Sequence, residues 1–206
     1  ERTGEPCPPG RKGVVALEAP LPPGCMSTIW GDDERYVATY WSGFPGKLLY
    51  SSFDWGIQDE DGYVTILGRT DDVINVAGHR LGTREIEESV SSHPDIAEVA
   101  VVGVRDALKG QVAMAFAIAR SAERTATPEG LMQLEGEVMQ TVERRLGAVA
   151  RPARVFFVNA LPKTRSGKLL RRAIQAIAEG RDPGDLTTIE DAGALQQLKD
   201  AMFPPA

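Results

Sequence analysis

Cysteine and histidine are scarce in this sequence. Only two cysteines, Cys7 and Cys25, and two histidines occur among 206 residues, and neither cysteine has a histidine nearby. A disulfide framework or a zinc site uses more of these residues at closer spacing. The sequence therefore predicts two reduced thiols in an intracellular protein and no metal site.

Long hydrophobic runs are absent as well. No apolar stretch approaches the ~20 residues that a membrane helix needs, and the segment from Glu1 to Pro6 lacks the basic start and apolar stretch of a secretory signal. Hydrophobic residues make up 42% of the chain and charged residues 25%, as in ordinary globular domains. We expect a soluble protein of the cytoplasm, or of the mitochondrial matrix in a eukaryote, with no membrane partner.

An excess of positive charge is also missing. The chain has 23 Lys plus Arg against 29 Asp plus Glu, a formal net charge of −6, which excludes a generally basic nucleic-acid binder. One local exception exists, because five of the ten residues from 163 to 172 are Lys or Arg. No aromatic residues interleave these charges, so we expect no nucleic-acid partner there either.

The N-terminal third of the chain has the pattern of short strands and turns. Apolar runs at Val14–Leu17 and Leu48–Phe53 are typical of strands, and the acidic residues 32–34 predict the first turn of a helix. The turn Asp59–Gly62, followed by the β-rich run Tyr63–Leu67, predicts a hairpin. This part of the chain is therefore expected to be mainly β.

The pattern changes at Asp71, and we place a domain boundary there, between residues 1–71 and residues 72–206. The second part has the element order β-α-β-β-α-β-α, which predicts a compact α+β module. Its first helix has Thr83 as the expected N-cap. Its longest helix is amphipathic and is predicted over Pro128–Leu146.

The basic segment contains a lysine between small residues. The stretch 162–168 is similar to the end of a phosphate-binding P-loop, but Pro162 stands where that motif needs Gly and Leu169 where it needs Ser or Thr. Walker-type ATP binding is therefore excluded. Small neighbours would let the Lys168 ammonium reach a carboxylate or phosphate oxygen as a point charge. A solvated basic cap on the last helix is the alternative, and it is the commoner use of such a segment.

Two further segments carry residues suited to a nucleotide. Asp54 ends a predicted strand, where a carboxylate can accept both hydroxyls of a ribose, and Arg69 can bind a ribose or a phosphate. Gly78 permits close approach of a ligand to the backbone, and Arg80 lies just before a helix N-terminus. No G-x-S-x-G elbow accompanies His79, so a serine hydrolase is disfavoured.

Taken in order, these segments resemble the closing motifs of the adenylate-forming acyl-CoA synthetases of the AMP-binding superfamily. Asp54 with Gly56 is similar to the family's aspartate motif, residues 61–87 to its hinge motif, and residues 161–168 to its C-terminal lysine motif. The stretches 53–56, 67–70 and 187–191 look most like those of propionyl-CoA synthetases, which are relatives of acetyl-CoA synthetases. The resemblance extends over essentially the whole chain.

The resemblance implies an α+β fold made of two unequal parts. Residues 1–71 would be the β-rich end of a large N-terminal adenylation domain, and residues 72–206 the small mobile C-terminal domain. The family's glycine-rich phosphate loop and its acyl pocket do not occur in this sequence. We therefore expect the chain to be part of a longer enzyme, with the missing N-terminal domain as its partner, and to be inactive alone.

The resemblance also implies a reaction and residue roles. ATP, with Mg²⁺, would activate a short-chain carboxylate, with propionate favoured, to an acyl-AMP, and CoA would then take the acyl group. Asp54, Arg69 and Arg80 would bind ATP or AMP, and Lys168 would be catalytic in the adenylation step. Asp71 would be the hinge between the steps, while Ala77 and Gly78 would line the path of CoA.

Two departures from the family pattern concern CoA. Acetyl-CoA synthetases generally have Ser where this chain has Ala77, so a side-chain contact is lost there. They also use an Arg for the CoA 3′-phosphate where this chain has Glu143, and Arg144 or Arg145 is the expected substitute. Alternatives to propionate activation are acetyl-CoA synthetase-type specificity and a non-catalytic module that binds nucleotide or CoA with the same fold.

Overall fold

The chain forms two compact units, Glu1–Asp72 and Val73–Ala206. The computed structural model describes residues 3–203. The division between the units falls one residue after the boundary that we place on the sequence. The assignment of the first unit to the end of a larger domain, and of Asp71 as a hinge, stays a prediction.

The first unit is a three-stranded antiparallel sheet with one helix, and its strands lie in the order β1-β2-β3. Its β2–β3 pair confirms the predicted hairpin. Rings from the helix pack on the sheet, with Tyr40 stacked on Tyr50 at a centroid distance of 5.1 Å. The elements are β1 (Lys12–Glu18), α1 (Asp33–Tyr40), β2 (Leu49–Gln58) and β3 (Val64–Arg69).

The second unit is an α+β module around a five-stranded sheet. The strand order is β5-β4-β7-β6, and β8 pairs in parallel with β7. Its strands are β4 (Val73–Val76), β5 (His79–Gly82), β6 (Ile96–Asp106), β7 (Gly110–Ala119) and β8 (Arg154–Phe157). Its helices are α2 (Thr83–Ser91), α3 (Pro128–Leu146), α4 (Arg171–Ala178) and α5 (Gly193–Met202).

Helices cover both faces of this sheet. Alternate residues of β6 point to opposite faces, as in any strand: Val101 lies in the core with α2 and α3, and Val102 lies in the core with α4 and α5. Within the apolar stripe of α3 that the sequence predicts, Leu134, Val138 and Val142 are fully inaccessible, whereas Leu146 at the end of the helix is exposed. No helix among residues 3–203 has the length and apolar character required to cross a bilayer.

Three local features differ from the sequence-based expectation. Gly82, not Thr83, is the N-cap of α2, and Thr83 is a buried first helical residue. Strand β5 was not expected, because its sequence His-Arg-Leu-Gly has no apolar alternation; it forms because the chain reverses after Val76 and pairs with β4. Helix α5 was not predicted, and it has no side-chain cap. The burial of Leu195 and Leu198 holds it in place.

Candidate functional site

In the first unit, Asp54 and Arg69 lie directly opposite each other on β2 and β3. Directly opposed residues of an antiparallel pair project to the same face of the sheet. The two side chains proposed to hold a ribose are thus brought together. Gly56 has a steric reason for its place in the motif, because a Cβ there would lie 2.7 Å from Val15 Cγ2.

The Arg69 guanidinium is already held within the first unit. Its Nε donates to Asp71 Oδ1 at 2.9 Å, its Nη2 to Asp71 Oδ2 at 3.1 Å, and its Nη1 to the Ser52 carbonyl at 3.2 Å. The Phe53 ring lies under the guanidinium, 5.6 Å away. The hydrogen bond to Asp71 raises the pKa of Arg69 further above its usual value. The cation is fixed in place beside Asp54.

The backbone before Asp54 has an unusual conformation. Phe53 has φ of 60°, one of two positive φ values at non-glycine residues in the described part of the chain. Its carbonyl accepts a hydrogen bond from the Thr70 N–H at 2.7 Å. A left-handed non-glycine residue costs about 1–2 kcal/mol, and such residues are concentrated at functional sites. No sequence pattern indicates this feature.

In the second unit, Ala77 and Gly78 form the two-residue turn between β4 and β5. Their φ values are 49° and 87°, which fits the type I′ turn of tight hairpins. The Ala77 N–H donates to the Lys109 carbonyl at 2.9 Å, so the turn is fastened to the tip of the β6–β7 hairpin. A Cβ at Gly78 would meet no atom within 4 Å. Open space therefore adjoins the turn, and Arg80 follows it on β5.

Lys168 lies in a small hydrogen-bonded hairpin whose two sides are joined at Lys163 and Leu169. The Thr164 N–H donates to the Lys168 carbonyl at 2.8 Å, and the Lys168 N–H donates to Thr164 Oγ1 at 3.1 Å. Lys163 Nζ is paired with Glu98 of β6 at 2.6 Å. The backbone of Lys168 is thus fixed, while its side chain is exposed.

The Ala77–Gly78 turn and the Lys168 hairpin lie near opposite ends of one sheet. The hairpin is attached at Glu98, close to the start of β6. The turn follows Val76, which pairs with Gly110 opposite the end of β6 at Asp106. The eight residue-to-residue steps from Glu98 to Asp106 along the strand correspond to about 26 Å. The structure therefore does not bring the two segments together.

Glu143, which stands where the family pattern has an arginine for the CoA 3′-phosphate, is paired with another residue of this chain. The Glu143 carboxylate accepts a hydrogen bond from Arg151 at 3.0 Å, so this position presents a paired anion. Arg144 donates to Thr141 Oγ1 at 3.3 Å, and Arg145 is exposed near the end of α3. The assignment of either arginine to the 3′-phosphate stays a prediction.

One side-chain cluster was not expected from the sequence. His93, Asp95 and Glu137 place ligand-type atoms within 4.8 Å of one another. The Arg124 guanidinium lies against both carboxylates, with Nε 2.9 Å from Asp95 Oδ2. The Asp95 N–H donates to His93 Nδ1 at 3.3 Å. Arginine already supplies the positive charge that this cluster needs, so its simplest role is to tie α3 to the end of α2.

The motif residues and the two-unit fold define a class of protein. Residues 85–168 match the AMP-binding enzyme C-terminal domain family, and the chain matches the C-terminal portion of its homologues. A solved structure with the same fold, that of the ATP-bound RpMatB-BxBclM chimera B3, has a TM-score of 0.69 and 26% identity over 86% of this chain and 33% of that one. Residues 85–168 thus belong to that domain family, and the chain as a whole is similar to the C-terminal part of adenylate-forming enzymes.

Curated relatives are considerably more similar in sequence. The propionate–CoA ligase of Salmonella typhimurium is 61% identical over 202 residues, which are 98% of this chain and 32% of the relative. The acetyl-coenzyme A synthetase of Pyrobaculum aerophilum is 47% identical over 98% of this chain and 29% of the relative. The chain thus spans about a third of the length of these relatives. These relatives confirm the resemblance to the acyl-CoA synthetases that was inferred from the motifs.

Proposed function

We propose that the chain is the C-terminal part of an enzyme that converts a short-chain carboxylate, propionate first of all, to its CoA thioester. A carboxylate oxygen forms a bond to the α-phosphorus of ATP, and the bond to pyrophosphate breaks. The CoA sulfur then forms a bond to the acyl carbon of the acyl-AMP and gives up its proton, and AMP leaves. Mg²⁺ enters as part of the ATP complex, and we assign it no ligand in this chain.

The 61% identity to a propionate–CoA ligase across 98% of the chain carries this proposal. In it, Asp54 accepts hydrogen bonds from the ribose hydroxyls, with Arg69 beside it, and Arg80 assists with the ATP phosphates. Lys168 offsets the negative charge that develops between carboxylate and α-phosphate. Fixed positive charge at that point stabilises the transition state because it is oriented before the reaction begins.

The distance between the two segments of the second unit supports a division of labour. Lys168 serves the adenylation step and the Ala77–Gly78 turn serves the thioester step, each from its own end of the sheet. In this proposal the unit turns about Asp71 between the steps, as gating motions do in many enzymes. The hydrogen-bonded Lys168 hairpin favours motion of the unit as a body over motion of the loop alone.

The proposed specificity for propionate is tested with the full-length enzyme. Pyrophosphate release is measured with acetate, propionate and butyrate side by side, and propionate is expected to give the highest kcat/KM. Highest activity with acetate would assign acetyl-CoA synthetase-type specificity instead. The absence of pyrophosphate release with all three, together with retained binding of ATP or CoA, would favour the non-catalytic module.

The role of Lys168 is tested by Lys168→Ala in the full-length enzyme. Acyl-AMP formation is expected to fall by at least about 100-fold, which is the scale of losing one preorganised charge contact. Thioester formation from supplied acyl-AMP is expected to stay within about 2-fold, since the lysine does not take part in that step.

Arg165→Ala is the matched control, because Arg165 is an exposed cation on the same hairpin with no assigned role. Its half-reactions are expected to equal those of the unaltered enzyme. A similar loss of both half-reactions in Lys168→Ala would contradict the assigned role.

A further inference from the structure

Strand β6 lies at an edge of the five-stranded sheet. One side of its backbone therefore has N–H and C=O groups that no strand pairs with, and proteins commonly cover such an edge. Here the cover consists of side chains. The Val101 N–H donates to Glu87 Oε1 at 2.8 Å, Arg171 Nη1 donates to the Val101 carbonyl at 3.4 Å, Gln175 Nε2 to the Gly103 carbonyl at 2.8 Å, and the Arg105 N–H to Glu179 Oε1 at 3.1 Å.

Two of the four side chains come from α4 and a third from Glu179, the residue that caps its end, and the three are regularly spaced. Arg171, Gln175 and Glu179 are four residues apart, which is about 6.0 Å along a helix. The backbone groups they contact, at residues 101, 103 and 105, are two residues apart, or about 6.6 Å along a strand. The two repeats nearly coincide, so α4 lies along the edge of β6 and its polar side chains follow the strand. We call these three residues the edge ladder.

Arg171, the first residue of the edge ladder, forms a partly buried ion pair with Glu87. Arg171 contacts both carboxylate oxygens of Glu87, with Nη2 3.0 Å from Oε2 and Nη1 also bonded to Oε1. Glu87 is buried on α2. A bidentate arginine–carboxylate pair fixes direction as well as distance. The first residue of α4 is therefore held at once to α2 and to the middle of β6.

Arg171 lies three residues after Lys168 in the chain. The segment between them is short and constrained, since the Leu170 N–H donates to the Pro162 carbonyl at 3.0 Å. The other side of the hairpin is attached through Lys163 to Glu98. Lys168 thus lies between two residues that are held by ion pairs. Lys163, before it, is paired with Glu98 of β6, and Arg171, after it, is paired with Glu87 of α2.

We infer that Arg171 is a positioning residue for Lys168 in the adenylation step, acting through its pair with Glu87. The inference rests on the proposed function. Arg171 does not touch the reacting atoms; it sets where the hairpin leaves α4 and hence where the Lys168 ammonium can reach. A displacement of about 1 Å in a reacting group can cost about 100-fold in rate.

The test compares Arg171→Lys with Arg172→Lys in the full-length enzyme. Both changes retain the charge, but only the first removes the two-pronged contact with Glu87, because Arg172 is exposed. Arg171→Lys is expected to lower kcat for acyl-AMP formation by about 10- to 100-fold. KM for ATP and thioester formation from supplied acyl-AMP are expected to stay within about 2-fold. Arg172→Lys is expected to leave both half-reactions unchanged.

A second variant distinguishes the positioning role from a simple loss of folding. Glu87→Gln retains the acceptor for the Val101 N–H but removes the charge that Arg171 pairs with. It is expected to cause the same selective loss of acyl-AMP formation, to a smaller extent. A purely structural role would instead lower both half-reactions in proportion to the folded fraction.

The outcomes separate this inference from the proposed function. If Lys168→Ala separates the half-reactions but neither Arg171→Lys nor Glu87→Gln does, the positioning role is wrong and the proposed function stands. If the unaltered enzyme releases no pyrophosphate with any short carboxylate, the proposed function itself fails. Equal loss of both half-reactions in Arg171→Lys overturns the positioning role.

Discussion

Two individual residues have backbone conformations that their side chains disfavour, and each lies beside a residue proposed to contact a substrate. Phe53, with φ of 60°, precedes Asp54, and Ala77, with φ of 49°, precedes Gly78. In each case hydrogen bonds to the backbone of a neighbouring strand or hairpin hold the residue in place. The packing of the surrounding strands offsets the local cost.

Ala77→Asn is expected to stabilise the chain. Asparagine tolerates positive φ and is favoured before glycine in a type I′ turn, so the free energy of unfolding should rise by up to about 1 kcal/mol. Denaturant unfolding of the 206-residue chain measures the change. The control is Ala126→Asn, since Ala126 has φ of −73°; a similar gain there would show that asparagine stabilises for another reason.

Among the helices and strands, those with strong periodic patterns were predicted well. The span Pro128–Leu146 of α3 agrees with the structure at both ends, because Thr127 caps the start, Pro128 begins the helix and Gly147 follows its last residue. The candidate site residues were proposed from motifs. The Asp54–Arg69 pairing was not predicted, because it depends on the register shift between Trp55 and Gly56. The edge ladder was not found, since a four-residue polar repeat on α4 has meaning only beside the edge of β6.

Two glycines of α3 are expected to respond in opposite directions. A Cβ at Gly136 meets no atom within 4 Å, so Gly136→Ala should raise the free energy of unfolding by about 0.5–1 kcal/mol through the greater helix preference of alanine. A Cβ at Gly130 lies 2.7 Å from the Arg124 carbonyl oxygen, so Gly130→Ala should lower it by about 1–3 kcal/mol. Parallel denaturant titrations measure both, and equal effects would contradict the packing of α3.

For the stability of the second unit as a whole, Glu179 links the end of α4 to β6. Burial raises the pKa of Glu179, but hydrogen bonds from Arg181 and from the Arg105 N–H outweigh it, and the pKa lies below its ordinary value of 4.5. The folded state thus binds fewer protons than the unfolded state at acidic pH. The stability from this group is present above the unfolded-state value and is lost as pH falls through the lower folded-state value.

Glu179→Gln is expected to remove this pH-dependent contribution. The difference in unfolding free energy between the unaltered chain and the variant should be largest near neutral pH. It should shrink as pH falls below about 4.5. Denaturant titrations at several pH values measure it. Arg181→Gln should reproduce part of the effect, and a difference that grows on acidification would contradict this account.

The sequence by itself determined most of the secondary-structure pattern, the α+β class of the second unit and the motifs that lead to the adenylate-forming enzymes. These depend on residue type and spacing along the chain, which local preferences and side-chain chemistry express directly. The tertiary structure alone decided that Arg69 is fixed by Asp71, that Lys168 and Gly78 lie at opposite ends of a sheet, and that Arg171 pairs with Glu87. Each of these depends on contacts between segments that only folding brings together. The order of two segments along the chain does not determine the distance between them in space.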